Sequence, residues 1–314
     1  MTVDSGQWTV KKFSMNRIRI AIVGYGNIGR FAVEAAQAAE DIELAGVVRR
    51  AGSVSKQEKE LDGIKVVSDI NELGKIDVAV ICGPSRSCPD IAEPLLRRGI
   101  STVDSFDIHT QVWDTLMRLD AAAKAGGAAA IISAGWDPGS DSVIRTLLQA
   151  MAPKGITYTN FGPGMSMGHS VVARSKEGVK NALSMTIPTG TGIHRRMVYV
   201  ELENGATLEQ VTAAIKSDDY FAHDETHVIA VDSVDAVKDM GHGVLLERKG
   251  VSGKTQNQNF SFSMSINNPA LTSQVLISCA RAVVKQQPGA YTLPEIAPMD
   301  LLPGDREKLV KSLV

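Results

Sequence analysis

One glycine string and one arginine pair are spaced so that they could do chemistry together. Gly24-Tyr25-Gly26-Asn27-Ile28-Gly29 has the form GxGxxG, and Arg49-Arg50 stand about 20 residues beyond its last glycine. Such a string binds a dinucleotide when it follows a strand and opens a helix. The first glycine then allows a tight turn, the second lets backbone approach a pyrophosphate, and the third permits close helix–strand packing. The helix N-terminus offers free N–H groups and partial positive charge to the phosphates. A carboxylate at the end of the second strand would accept from a ribose 2′-hydroxyl and repel a 2′-phosphate. Two guanidiniums there can instead clamp that phosphate with forked hydrogen bonds. The pair predicts NADP(H) rather than NAD(H); solvated loop arginines are the alternative.

A second set of residues could act on a substrate. The loops Gly83–Cys88, Asp104–His109 and Gly135–Gly139 each follow an apolar run. They carry Ser85, Arg86, Asp104, Asp107, His109, Trp136 and Asp137. Ligands of open α/β sheets bind beyond the carboxyl ends of the strands, so these loops should line the cleft, with Ser85 on the cofactor side. Asp104 directly follows Ile100–Val103 and is expected to point into the cleft, with capping of the next helix as the alternative. Trp136 sits in a glycine-flanked loop, which favours a wall or gate over a core position. Farther on, Gly162-Pro163-Gly164-Met165-Ser166-Met167-Gly168-His169-Ser170 is rich enough in glycine to offer N–H groups to a carboxylate. Arg195-Arg196 open an apolar run and His242 lies between glycines. His169 and His242 also read as ordinary satisfied or exposed histidines. No HExxH, GxSxG or acid pair supports metal hydrolysis, acyl transfer or glycoside hydrolysis.

The elements that must position these residues follow from periodicity. Short β-branched runs alternate with helical patterns up to about residue 135, which predicts parallel βαβ units. Strands are expected over 19–23, 44–48, 64–67, 78–82, 100–103 and 128–133. Helices are expected after the glycine string, from Pro89 and over 109–125. After a helix over 141–151 the pattern changes. Phe260-Ser261-Phe262-Ser263-Met264-Ser265-Ile266 alternates with period two, as in an antiparallel sheet with one buried face. Further strands are expected over 194–201, 226–231 and 244–248, with helices over 207–217 and 270–286. The fold class is α/β: a doubly wound, Rossmann-type parallel sheet over residues 15–135, followed by an α+β domain over 136–288. Residues 1–14 read as an N-terminal extension.

Composition narrows the function. A chain of 314 residues with 44% hydrophobic and 22% charged residues is ordinary for a globular protein. A net charge of -2 supplies no field for nucleic acid or an anionic membrane. No apolar run approaches a membrane span, and the first residues lack signal-peptide features. Cys82, Cys88 and Cys279 show no metal-ligand spacing and read as reduced thiols, which favours the cytoplasm.

Taken in order, Ala21–Arg30, Val103–His109, Gly135-Trp136-Asp137-Pro138-Gly139, Gly162–Ser170, His194-Arg195-Arg196, Met240-Gly241-His242-Gly243, Asn268-Pro269 and Tyr291–Pro298 resemble the meso-diaminopimelate D-dehydrogenase family. The likeness covers nearly the whole chain from Met15. It implies NADP-dependent oxidative deamination at the D-configured carbon of meso-diaminopimelate, giving L-2-amino-6-oxopimelate and ammonia, in lysine and cell-wall precursor metabolism. It also implies a homodimer, a second domain that binds substrate and dimerises, and a return of residues 289–314 to the first domain. By motif, Asp104 would face the reacting amino group, where, acting through water, it is the candidate acceptor of the ammonium proton, and Trp136 would wall the pocket. Backbone of Met167-Gly168 would hold the nearby carboxylate. Thr186, Arg196, His242 and Asn268 would hold the distal L-amino-acid end. Two departures stand out. Cys88 falls where the family has a loop aspartate, with Asp90 two residues later, and Met167 stands where some relatives have glutamine. A broader D-amino-acid dehydrogenase and a non-catalytic NADP(H) sensor are the competing readings.

Overall fold

The computed structural model describes residues 17–56, 58–238 and 241–314. The expected extension over 1–14, Met15 and Met240 of the Met-Gly-His-Gly stretch lie outside the described residues.

The first domain alternates β1 (Ile18–Val23), α1 (Asn27–Ala38), β2 (Ile42–Val48), β3 (Val66–Val67), β4 (Val78–Ile81), α2 (Cys88–Arg97), β5 (Ser101–Asp104), α3 (Val112–Gly126) and β6 (Ala129–Ile132). The strands are short and apolar because both faces of their sheet are covered. Ile20, Ile22, Val78 and Val80 pack with residues of α1, while Ile81, Ala130 and Ile132 pack with α2 and α3. Side chains one residue apart thus serve opposite layers.

The second domain follows α4 (Ser140–Met151). It contains β7 (Lys154–Phe161), β8 (Gly164–Met165), α5 (Met167–Arg174), β9 (Val179–Gly190), β10 (Ile193–Leu202), α6 (Leu208–Lys216), β11 (Glu225–Ala230), β12 (Gly241–Ser252) and β13 (Thr255–Asn267). The chain then returns through α7 (Asn268–Val283), β14 (Gly289–Thr292) and α8 (Arg306–Leu313).

The first sheet has seven strands in the order β14-β6-β5-β4-β1-β2-β3, every pairing parallel. The order reverses between β1 and β4, which puts a crevice beyond their carboxyl ends. The second domain has a three-stranded antiparallel sheet, β13-β12-β7, and a four-stranded sheet, β11-β10-β9-β8. In the latter β10 and β11 run parallel, so that sheet is mixed where the alternation predicts antiparallel pairing. The serine face of β13 is exposed, and Phe260, Phe262, Met264 and Ile266 pack with Trp136, Leu148, Val244 and Leu246.

The return to the first domain begins with α7, before residue 289. Leu276, Ile277, Ala280 and Val283 of α7 belong to the same core as Ile20 and Val80. Arg281 clamps Asp41 at 2.6 and 2.9 Å, and the Ser273 hydroxyl donates to the Ile28 carbonyl at 2.7 Å. The 270–286 pattern shows an amphipathic helix but not which core its apolar side enters. One helix therefore starts in the second domain at Asn268, passes the start of α1 at Ser273 and ends beside Asp41, which precedes β2.

Candidate functional site

The glycine string fills the whole turn between β1 and α1. Gly24 has φ +101°, a left-handed conformation, and a Cβ on Gly29 would lie 2.3 Å from the Gly24 carbonyl oxygen. Around a Cβ on Gly26 nothing lies within 4 Å, and no side chain caps α1 at that residue. The first-turn N–H groups therefore face open space of the kind a pyrophosphate needs. Asn27 is exposed and Ile28 packs against the core. Arg49 lies over the Tyr25 ring at 5.1 Å, and Arg30, which the spacing argument does not single out, lies over it at 5.7 Å. Both bind Glu58, at 2.8 and 2.5 Å. Arg50 is exposed at the same strand end. The Ser85 hydroxyl accepts from the Asp107 N–H at 3.2 Å, which ties the loop after β4 to the loop after β5.

Three acids sit at the strand ends in different environments. Asp104 closes β5 and is 1% exposed. Its Oδ1 accepts from the N–H groups of Phe106 at 2.9 Å and Ser133 at 3.3 Å, while Oδ2 has no hydrogen-bond partner. Burial outweighs those two bonds and pushes its carboxyl up to about 6. Asp107 and Asp137 are half-buried and can meet a ligand. Tyr220 donates to Asp107 at 3.3 Å. Burial, then the neighbouring Asp141 charge and, more weakly, Asp107, hold Asp137 well above the usual carboxylate range. Arg145 opposes this, and it pairs with Asp141 at 2.7 Å. A carboxylate whose proton affinity is raised by a neighbouring carboxylate is a place that favours a cation.

A raised folded-state value means that the native protein binds the Asp104 proton more tightly than the unfolded chain does. No destabilisation exists below the ordinary carboxylate value; it grows as pH rises toward 6 and is complete above it. Asp104→Asn keeps an oxygen acceptor and removes the charge. It should stabilise the protein by about 2–3 kcal/mol at pH 8 and by little at pH 4, on the scale of 1.36 kcal/mol per pKa unit. Urea melts at the two pH values check this, and an equal change at both would contradict the assignment.

The departures at the β4 loop resolve in the same region. Cys88 is 2% exposed, and its thiol donates weakly to the carbonyls of Gly83 at 3.7 Å and Pro84 at 3.6 Å. Asp90 is exposed and pairs with Arg118 at 2.8 Å. Cys88 is thus packed inward and Asp90 faces α3.

The second domain closes on Asp107 through its glycine-rich loop. A Cβ on Gly168 would stand 3.0 Å from Asp107 Oδ2 and 3.2 Å from the Tyr220 ring, so a larger residue there would push one of them aside by a few tenths of an ångström. Met167 and Gly168 open α5, whose N-cap Ser166 makes no side-chain capping bond. Their N–H groups are available to an anion. Beyond them His169 packs edge-on to Tyr220 and Phe221, at 5.3 and 5.0 Å between ring centres.

Arg196 and two histidines stand at the other end. Arg196 on β10 donates to Asp224 at 2.6 Å and to the hydroxyl of Thr186 on β9, its cross-strand partner. Burial first, and Arg196 second, push His169 down to about 3. Burial also pushes His242 down to about 4, with Arg196 adding to it. Both rings are neutral near pH 7, and Arg196 carries the charge. Trp136 bridges the two ends. It is 6% exposed, donates through Nε1 to Asn268 Oδ1 at 3.0 Å and lies 4.9 Å from the His242 ring. Asn268 passes the contact on to the Met165 carbonyl at 3.0 Å. Asp224, Tyr220, Arg145 and Arg30 are the residues that sequence reasoning misses. Arg30 follows the glycine string directly and could have been read from its position, whereas the others carry no local pattern.

The candidate residues thus form three groups: a nucleotide turn, the strand-end acids Asp107 and Asp137, and the Arg196–Asp224 pair with its neighbouring histidines. Among the described residues no group of three or more His, Cys, Asp or Glu side chains could hold a metal. The model of the diaminopimelic acid dehydrogenase C-terminal domain matches residues 135–268, and the NAD-binding Rossmann model of an oxidoreductase family matches residues 18–105. A meso-diaminopimelate D-dehydrogenase of Bacteroides fragilis is 65% identical over 300 residues, 96% of this chain and 100% of that protein. The solved C. glutamicum DAP dehydrogenase in complex with DAP superposes with a TM-score of 0.85 at 29% identity, covering 96% of this chain and 100% of that one. An engineered D-amino acid dehydrogenase bound to NADP+ superposes with a TM-score of 0.84 at 28% identity, covering 95% and 100%.

Proposed function

This chain belongs to the meso-diaminopimelate D-dehydrogenase family, and on that premise we propose that it deaminates the D-configured carbon of meso-2,6-diaminopimelate oxidatively, with NADP as acceptor. It is an oxidoreductase of the class acting on CH–NH2 donors and uses a nicotinamide cofactor on its Rossmann domain. The observation that carries the reading is that each end offers groups of both signs: Asp107 and Asp137 with the opening N–H groups of α5 at one, Asp224 with Arg196 at the other. Asp107 and Asp137 stand by the strand ends, and Arg196 with Thr186 stands beyond Trp136. A substrate with an ammonium and a carboxylate at each end needs partners of both signs at both ends.

In this reading Asp107 and Asp137 hold the reacting ammonium, and the opening N–H groups of α5 at Met167 and Gly168 hold its carboxylate. By motif Asp104 also faces the ammonium: its Oδ1 fixes the Phe106 and Ser133 backbone, and its Oδ2, which no protein group satisfies, backs Asp107 and Asp137. Thr186, Arg196, His242 and Asn268 hold the distal end, and Trp136 walls the space between. Choice of the D-centre is then positioning: the end fixed at Arg196 decides which carbon stands at the nicotinamide. The cofactor, when bound, accepts the hydride from that carbon. Asp137, raised in proton affinity, takes a proton from the ammonium, and water hydrolyses the resulting imine to the oxo acid and ammonia. The open Gly26 turn and the Arg49, Arg50 and Arg30 group fit a dinucleotide with a 2′-phosphate.

A homodimer belongs to the same proposal; Leu147, Met151 and Ile156 are 52%, 48% and 59% exposed on the second domain, apolar surface that a second copy would cover. Among the described residues no helix is long and apolar enough to cross a membrane. The three thiols are free and buried, which supports the cytoplasmic assignment.

The test is NADPH formation with meso-diaminopimelate, the LL isomer and simple D-amino acids. Turnover of the meso isomer alone supports the proposal. Equal turnover of simple D-amino acids points to the broader dehydrogenase, and none with any of them leaves the sensor. Arg49→Ala with Arg50→Ala should raise KM for NADP roughly 30-fold, about 2 kcal/mol of charged hydrogen bonding, and leave KM for NAD nearly unchanged. Parallel titrations of both cofactors read this out, and equal effects would remove the pair from the 2′-phosphate site.

A further inference from the structure

The guanidiniums assigned to a 2′-phosphate already hold an anion of the protein itself. Glu58, on the segment between β2 and β3, accepts from Arg49 through Oε1 at 2.8 Å and from Arg30 through Oε2 at 2.5 Å. Both arginines lie over the Tyr25 ring of the glycine string, so the three-residue cluster sits at the nucleotide turn itself. The side chains of Glu58 and Arg49 are 18% and 8% exposed, more shielded than an ordinary surface pair. Burial pushes the Glu58 carboxyl up, but the two guanidiniums more than offset it and keep it ionised. The backbone at Glu58 is extended and leads into a single 3-10 turn over Lys59–Leu61, so no α-helix or sheet strand fixes its position. Glu60 adds a further negative charge near Tyr25.

A carboxylate and a phosphate monoester compete for the same donors, and side by side they repel. A ribose 2′-hydroxyl, by contrast, can donate to a carboxylate. We propose that Glu58 limits the NADP(H) preference of this chain: it occupies the arginine fork in competition with a 2′-phosphate and weakens NADP(H) binding relative to NAD(H). The inference rests on the NADP reading above and names the residue that limits it.

The test is calorimetric binding of 2′,5′-ADP and 5′-AMP, then NADP+ and NAD+, to the whole protein and to its Glu58→Gln and Glu58→Ala variants. No turnover is needed. Wild type should prefer 2′,5′-ADP to 5′-AMP. Both variants should bind 2′,5′-ADP about tenfold more tightly while 5′-AMP changes by less than about threefold, as removal of one nearby like charge requires. Unchanged or weaker 2′,5′-ADP binding in the variants, with the wild-type preference intact, would overturn the role of Glu58 and spare the cofactor reading. No preference for 2′,5′-ADP in wild type or in either variant would overturn both.

Discussion

Arg196→Ala is expected to lower kcat/KM for meso-diaminopimelate by roughly two to three orders of magnitude, about 3–4 kcal/mol for a lost charged partner in a shielded site. The size follows from the surroundings. Arg196 is held by Asp224 and Thr186, and the histidines near it are neutral at pH 7. Its removal leaves a carboxylate of the substrate beside Asp224 without a cation. The loss should fall on KM and kcat together, because the distal end also positions the carbon at the nicotinamide. Arg196→Lys should recover little, since a single ammonium cannot reproduce the fork that meets Asp224, Thr186 and a ligand at once. Steady-state kinetics with saturating cofactor measure this. Unchanged kinetics would remove Arg196 from the site.

Asp137→Asn should have the larger effect on turnover, roughly 10²- to 10⁴-fold in kcat, the range for loss of a positioned proton acceptor. Its pH dependence separates it from a structural defect. Burial and the charge of Asp141 raise the proton affinity of Asp137, so as pH falls Asp137 is protonated before an ordinary carboxylate would be. The wild-type kcat/KM should therefore fall on the acid side at a pH above the usual carboxylate range and rise to a plateau as pH increases. The Asn variant should lack that acid limb. A variant that keeps the limb, or the full rate, would show that another group takes the proton.

The first domain was legible because each signal was local. A GxGxxG string between a β-branched run and an alanine-rich helix admits few other structures, and both the turn and the arginines at the end of β2 lie where the spacing puts them. The alternation of β13 was equally plain. β7 and β9 were not legible: no residue of β7 is fully buried and β9 turns Ser184 and Thr186 inward, so neither shows an apolar period. Within the site, the order Asp104, Asp107, Asp137 in sequence says nothing of depth. Asp104 follows its strand most closely and for that reason is buried by the layers on either side, while Asp107 and Asp137 sit one loop farther out. Asp224 and Tyr220 come from the segment between α6 and β11, and their contacts with Arg196 and Asp107 span 28 and 113 residues. Contacts of that separation leave no trace in spacing.

The central claim is that this cleft presents the D-configured carbon, and not the L-configured one, to the cofactor. Diaminopimelate carrying deuterium at one α-carbon tests it directly, with the NADPH formed analysed by mass spectrometry. Label at the D-carbon should appear in the nicotinamide ring, and label at the L-carbon should stay in the amino-oxopimelate product. Transfer from the L-carbon, or from both, would contradict the account.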